Sequence, residues 1–131
     1  MPESDFRVIF TGGRNDEDMA PAIRLVLRGL AEFYGDRLVV VHGGARGVDA
    51  AVDGIARGMS LRVEEHPAAW TSLGRVAGHV RNQHMLDLGA SVVFAFKRSF
   101  NWKLDRGGTE DMVRRAQGAG VPTFVMQVAG A

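Results

Sequence analysis

The chain contains no cysteine in its 131 residues, which excludes a disulfide framework and thiolate metal sites. It also lacks any apolar run approaching the roughly 20 residues needed to span a bilayer. Its first residues, Met1-Pro-Glu-Ser-Asp5, have neither the basic nor the apolar region of a signal peptide. A soluble cytoplasmic protein without a membrane partner is therefore expected. An excess of either charge is missing too. The formal net charge is +1, so the overall balance argues against nucleic acid as a partner and leaves room only for a local basic strip. Lysine is scarce: of 16 basic residues only Lys97 and Lys103 are lysines. That bias reads mainly as genome composition, although arginine also suits planar anion recognition. What remains is 46% hydrophobic and 24% charged, the make-up of a globular chain. Its length predicts one domain over residues 1–131 with a sizeable core.

The most informative stretch is Leu38-Val-Val-Val-His-Gly-Gly-Ala-Arg-Gly-Val-Asp49. A buried-strand run ends in two glycines, then an alanine, an arginine, a third glycine and a helix start. Glycine lets backbone N–H groups approach a ligand closely. Helix N-terminal amides carry a dipole that favours anions, and a guanidinium fork fits phosphate or carboxylate. Gly43, Gly44, Ala45, Arg46 and Gly47 are thus expected to cradle a phosphate. A plain strand-to-helix turn explains one glycine but not three with an arginine.

Strand-like and helix-like stretches alternate throughout. Strands are predicted at 6–11, 38–41, 61–65, 91–96 and 121–127, and helices at about 18–34, 48–57, 74–88 and 109–117. In the first helix Ile23, Val26, Leu27, Leu30, Phe33 and Tyr34 repeat at helical period. Leu38–Val41 lacks polar alternation, so both its faces should be covered. Pro122 suits an edge strand. The pattern predicts a doubly wound, mostly parallel, five-stranded α/β sheet of Rossmann-like type, with helices on both faces. With strand order 3-2-1-4-5, the loops after strands one, two and four converge where ligands bind such folds.

Thr11-Gly-Gly-Arg14, His42-Gly-Gly-Ala-Arg-Gly-Val-Asp49, Ala77-Gly-His-Val-Arg-Asn82, Ala95-Phe96 and Gly108-Thr109 fall in the order and spacing of the SLOG superfamily. The chain resembles it over nearly its whole length, and within it the YspA-related (cpYpsA-related) branch. The resemblance implies a Rossmann-like fold that binds nucleotides or nucleotide-derived ligands, and dimers or larger assemblies. Enzyme members that release a base from a nucleoside monophosphate carry Pro-Gly-Gly-x-Gly-Thr-x-x-Glu. This chain has Asp105-Arg-Gly-Gly-Thr109 with Met112 at the glutamate position, so that activity is not carried over. A DNA-processing branch has a similar Gly-x-Ala-Arg-Gly-x-Asp turn.

Beyond the glycine turn, Thr11, Gly12, Gly13 and Arg14 are expected to hold a phosphate or ribose oxygen. Asp49 could serve the helix dipole, take ribose hydroxyls or orient Arg46. Arg81 falls within an apolar arc of Val76, Ala77, Val80, Met85 and Leu88 and needs a partner there, either a ligand phosphate or a carboxylate such as Asp49. Asn82 would then hold a base or sugar edge. Gly107, Gly108 and Thr109 form a second helix-start cradle suited to ribose or a base. Trp70, Phe100 and Trp102 lie in expected loops, where one could stack on a base. His79 and His84 are five apart, off the i, i+4 spacing of a helical metal pair, so no metal site is expected.

The leading expectation is a domain that binds a nucleotide derivative, ADP-ribose-like ligands included, as a sensor or sequestering module with no required cofactor. A hydrolase of a nucleotide N-glycosidic or phosphate bond is the alternative, with Asp49 and Glu110 as its only candidate carboxylates. A module associated with single-stranded DNA is the third. A dinucleotide-dependent dehydrogenase fits worst, because His42 replaces the first glycine of the fingerprint.

Overall fold

The structure, a computed structural model, describes residues 4–103 and 107–128. Its strands are β1 (Phe6–Gly12), β2 (Leu38–His42), β3 (Arg62–Glu65), β4 (Val92–Lys97) and β5 (Thr123–Gln127). Its α-helices are α1 (Ala20–Tyr34), α2 (Val48–Gly58), α3 (Trp70–Leu73), α4 (Ala77–Asp87) and α5 (Gly108–Gly118). The strands form one parallel sheet in the order β3-β2-β1-β4-β5, the α/β architecture that the alternation predicts. Among the described residues no helix is long and apolar enough to cross a membrane.

Strand periodicity splits the core into two layers. Val8 and Phe10 point to one face with Ile23, Leu27, Val52 and Phe96. Ile9 points to the other with Val41, Met85, Val93 and Met112. β2 is buried along its whole length, as its unbroken apolar run requires. β5 is an edge strand and leaves Phe124 and Val125 exposed.

Two helix expectations need correction. The span 74–88 is not one helix. Gly74, at φ +62°, closes the single turn of α3. A 3-10 turn over Gly74–Val76 then re-aims the chain into α4. The arc expected to be buried on that helix faces outward at Val76, Val80 and Leu88, which are about half exposed, and only Ala77 and Met85 of it are buried. The inward face of α4 carries Ala77, Gly78, Asn82 and Met85 instead. Hydrogen bonding by Asn82 displaces apolar burial there: its amide donates to the Gly108 carbonyl at 2.9 Å and to Asp111 Oδ2 at 3.0 Å. In α1, Ile23 and Leu27 are buried as expected, but Phe33 is 80% exposed. The first residues of the expected helix, Asp18 and Met19, sit in a separate 3-10 turn, Glu17–Met19.

Candidate functional site

The chain's polar anomalies meet at the carboxyl ends of β1 and β4. β1 ends at Thr11-Gly12, and the chain turns through Gly13 and Arg14. The Gly13 amide donates to the Phe96 carbonyl at 3.2 Å, and its own carbonyl accepts from the Val48 amide at 3.1 Å. The β1 loop is therefore clamped between β4 and the start of α2. Gly47 makes this approach feasible. Its φ is +81°, and a Cβ there would lie 2.2 Å from the Gly13 oxygen.

A cavity of about 270 Å³ opens beside this clamp, lined by Thr11, Gly12, Gly13, Arg14, Ala45, Asp49, Arg81, Lys97, Gly107, Gly108 and Thr109. The expected cradle after β2 lies largely off it. Gly43, Gly44, Arg46 and Gly47 are not among its walls, and Arg46 is exposed. Three of the turn's amides are already engaged within the turn itself. Gly43 and Ala45 both donate to Asp49 Oδ2 at 3.2 Å, and Gly44 donates to His42 Nδ1 at 3.0 Å. Asn82 also stays outside, bracing the start of α5. The structure thus gathers Thr11 to Arg14, Ala45, Asp49, Arg81 and Gly107 to Thr109 around one cavity and leaves the rest of the expected set beside it.

Asp49 is buried, and its Oδ1 has no hydrogen-bond partner among the described residues. Burial raises its pKa, against the pull of the Ala45 amide, His42, Arg81 and the Gly43 amide. Arg81 does not pair with Asp49, as the carboxylate alternative had it. Its Nη1 donates to the Gly43 carbonyl at 2.5 Å and its Nε to Asn82 Oδ1 at 3.0 Å. Gly43 is what admits it, since a Cβ there would fall 2.1 Å from Nη1. Burial holds the Arg81 guanidinium below its ordinary range. Asp49 and Asp111 oppose that shift, and Arg14 adds to it through repulsion. Two guanidiniums therefore approach one cavity. Arg14 also lies over the Trp70 ring, 5.1 Å from its centroid. Trp70 is in the single turn of α3 rather than in a loop.

Glu110 does not present itself to the cavity. Its carboxylate is buried, accepts from Lys97 Nζ at 2.8 and 3.1 Å and from the Asn101 amide at 2.8 Å. Burial alone raises its pKa, but Lys97 and the Asn101 amide together hold it below the usual carboxylate range. A group held ionised in this way is poorly suited to act as a general acid. Met112 is fully buried in the core layer under α5. Position 112 therefore faces the sheet and not the cavity. Lys97 and its Glu110 latch escaped sequence reading because the partners are 13 residues apart and join only through the fold.

His42, Asp53 and Glu65 bring potential ligand atoms within 4.8 Å of one another. Both ring nitrogens of His42 are occupied, however. Nδ1 accepts from Gly44, so Nε2 carries the proton that it donates to Asp53 Oδ1 at 2.8 Å. These hydrogen bonds account for the positions of His42 and Asp53.

The two carboxylates should have opposite pH signatures. Asp49 has its folded pKa raised from 3.8. Its contribution to stability is full at low pH and is lost as pH rises through the folded value. Chemical denaturation of Asp49→Asn and the parent should therefore diverge in the variant's favour as pH rises from 3.8 toward neutrality. Glu110 has its folded pKa lowered from 4.5. Its stabilisation is present above that value and is lost on acidification, so Glu110→Gln should compare worst with the parent at neutral pH. Parallel pH profiles for either variant and the parent would contradict the corresponding burial or pairing.

Comparison with known proteins first defines the class. The chain has the α/β fold of a DNA processing protein. It superposes on DNA processing protein A (DprA) from Streptococcus pneumoniae with a TM-score of 0.68 over 97% of its own length, at 19% identity. It spans about half, 51%, of that protein. The chain is also 40% identical over 125 residues to the Gene 61 protein of Mycobacterium phage D29, covering 90% of this chain and 94% of that one. It belongs to the same family as that phage protein. No protein-family profile matches the sequence. The expectation against nucleic acid as a partner is corrected by the first likeness, because a DNA processing protein carries this fold. Net charge does not exclude such a partner. It averages over the whole surface, whereas Arg14 and Arg81 share one cavity.

Proposed function

We propose that the cavity at the carboxyl ends of β1 and β4 binds a nucleotide, with the phosphate between Arg14 and Arg81. The observation that carries this reading is the approach of two guanidiniums, one of them partly desolvated, to a concave site, neither of them ion-paired among the described residues. Arg14 is exposed and Arg81 half buried, and an anion held between them would offset their mutual repulsion. The amides of Gly108 and Thr109, at the first turn of α5, add donors that no earlier helical turn can occupy. The volume of about 270 Å³ lies at the lower edge of small-molecule sites, roughly 300 Å³ and upward. It suits one nucleoside monophosphate unit; an ADP-ribose-like ligand would have to extend beyond it. Binding is favoured over hydrolysis because Glu110 is committed to Lys97 and Asp49 keeps one oxygen in the β2 turn. The finer placement in the YspA-related branch rests on the sequence motifs.

A second reading is supported by the likeness to a DNA processing protein and by one aromatic ring at the cavity's Arg14, with two more on the loop after β4. Here the bound unit belongs to a single DNA strand. Trp70, beneath Arg14, is about half exposed, and Phe100 stacks on Trp102 with ring centroids 5.1 Å apart. Exposed rings beside a cationic groove are what single strands use.

Calorimetric titration with inorganic phosphate, ribonucleoside monophosphates and a short single-stranded oligonucleotide tests both readings. Saturable binding of phosphate and at least one monophosphate, weakening as salt rises, is expected. Uniform silence from protein shown to be folded would sink the first reading. Failure of the oligonucleotide to bind at low salt, or to compete with a bound monophosphate, would remove the second. Chromatography of the titrated nucleotides should return them intact.

A further inference from the structure

The unpartnered oxygen of Asp49 calls for a donor that the protein does not supply. A buried acceptor without a partner costs free energy comparable to a lost hydrogen bond, and more when it is ionised. The other oxygen of the same carboxylate is fixed by the Gly43 and Ala45 amides, so the side chain cannot rotate to relieve the orphan without breaking that turn. Arg81, whose positive charge draws the Asp49 pKa down, is itself held by the Gly43 carbonyl and Asn82. Asp49 nevertheless lines the cavity, together with Arg81 and Arg14. The site therefore joins guanidinium donors for an anion to a carboxylate acceptor for a hydroxyl or amine proton. A phosphate alone satisfies only the first half. A sugar hydroxyl next to a phosphate satisfies both.

We infer that Asp49 makes this pocket selective for a ligand whose phosphate is accompanied by a free sugar hydroxyl, a ribonucleoside monophosphate, over its 2′,3′-dideoxy counterpart and over an internal unit of a DNA strand. This rests on the phosphate reading above and deepens it. The hydroxyl donates to Asp49 Oδ1 while Arg14 and Arg81 hold the phosphate. Asp49 acts as a specificity determinant, and no bond is made or broken.

The test compares each of AMP, GMP, CMP and UMP with its 2′,3′-dideoxy form by calorimetry, on the parent and on Asp49→Asn. Inorganic phosphate and a single-stranded oligonucleotide with a blocked 3′ end are run alongside. For at least one base the parent should favour the ribose form by roughly 10- to 100-fold, the range of a hydrogen bond to a charged group. In Asp49→Asn the preference should fall to about threefold or less. The comparison is a ratio within each protein, so a change in absolute affinity does not obscure it. The ligand series on the parent remains decisive even if the variant folds poorly. Equal affinity of the parent for ribose and dideoxy forms overturns the inference and leaves the phosphate reading standing. So does a blocked oligonucleotide that binds as tightly as the preferred monophosphate, or an undiminished preference in Asp49→Asn. Silence with every ligand, inorganic phosphate included, overturns both.

Discussion

Gly47→Ala is expected to lower stability by about 3–5 kcal/mol, summing backbone strain in a region nearly closed to side chains and overpacking against a fixed backbone. The residue's φ of +81° and ψ of −125° suit only glycine. The added Cβ would meet the Gly13 oxygen at 2.2 Å and the Arg14 carbonyl at 2.5 Å. These are main-chain atoms of the β1 loop, which cannot swing aside as a flexible side chain could. They are also pinned, because the Gly13 amide is bonded to Phe96 and its carbonyl to the Val48 amide. Relief would require pulling the β1 loop off β4 or lifting the start of α2. Both movements open the cavity that Arg14 and Asp49 line. Urea denaturation followed by circular dichroism measures the loss, which at this chain length corresponds to a melting shift of roughly 10–15 °C. A loss below about 1 kcal/mol would mean that the clamp between β1 and α2 is looser than the hydrogen bonds indicate.

This clamp also separates what the sequence displays from what it hides. The sheet order was legible because each strand run ends in a turn signal and is followed by a helical period. A parallel sheet with crossovers is the economical outcome of that alternation. The location of the cavity followed from topology, since the loops after β1 and β4 must neighbour one another once β1 is central. The occupancy of individual amides was not legible. Gly43-Gly44-Ala45 has the composition of an anion cradle, yet its N–H groups answer to Asp49 and His42, within its own turn. Composition reports that a backbone can approach a guest, not whether a nearby side chain has taken that place. The same limit applies to α4. Its apolar residues mark a helical stripe, but Asn82 faces inward because the start of α5 offers it two acceptors, a contact that no local period encodes. Glu110 shows the limit at its widest. In sequence it is one of several acids at a helix start; in the fold it is the buried counter-charge of Lys97.

Arg81→Met is expected to weaken binding of inorganic phosphate and of the preferred monophosphate by roughly 100-fold, the loss of one well-placed guanidinium contact of about 3 kcal/mol. Folding should suffer little by comparison. Arg81 is only half buried, and its removal costs the hydrogen bonds to Gly43 and Asn82 while relieving repulsion from Arg14. A melting temperature within a few degrees of the parent is therefore the companion result. Gly43→Ala provides an independent approach to the same point. Its Cβ would stand 2.1 Å from Arg81 Nη1 and 2.5 Å from Cζ, with no main-chain atom among its closest contacts. The clash is therefore relieved by moving the far end of the arginine, which displaces the guanidinium without deleting it. If phosphate is held by charge at large in the cavity, Gly43→Ala should bind as the parent does. If it is held by an oriented fork, Gly43→Ala should fall most of the way to Arg81→Met. Arg81→Lys separates the two further, because it keeps the charge and loses the planar fork. Parent-like phosphate affinity in all three variants would remove Arg81 from the site.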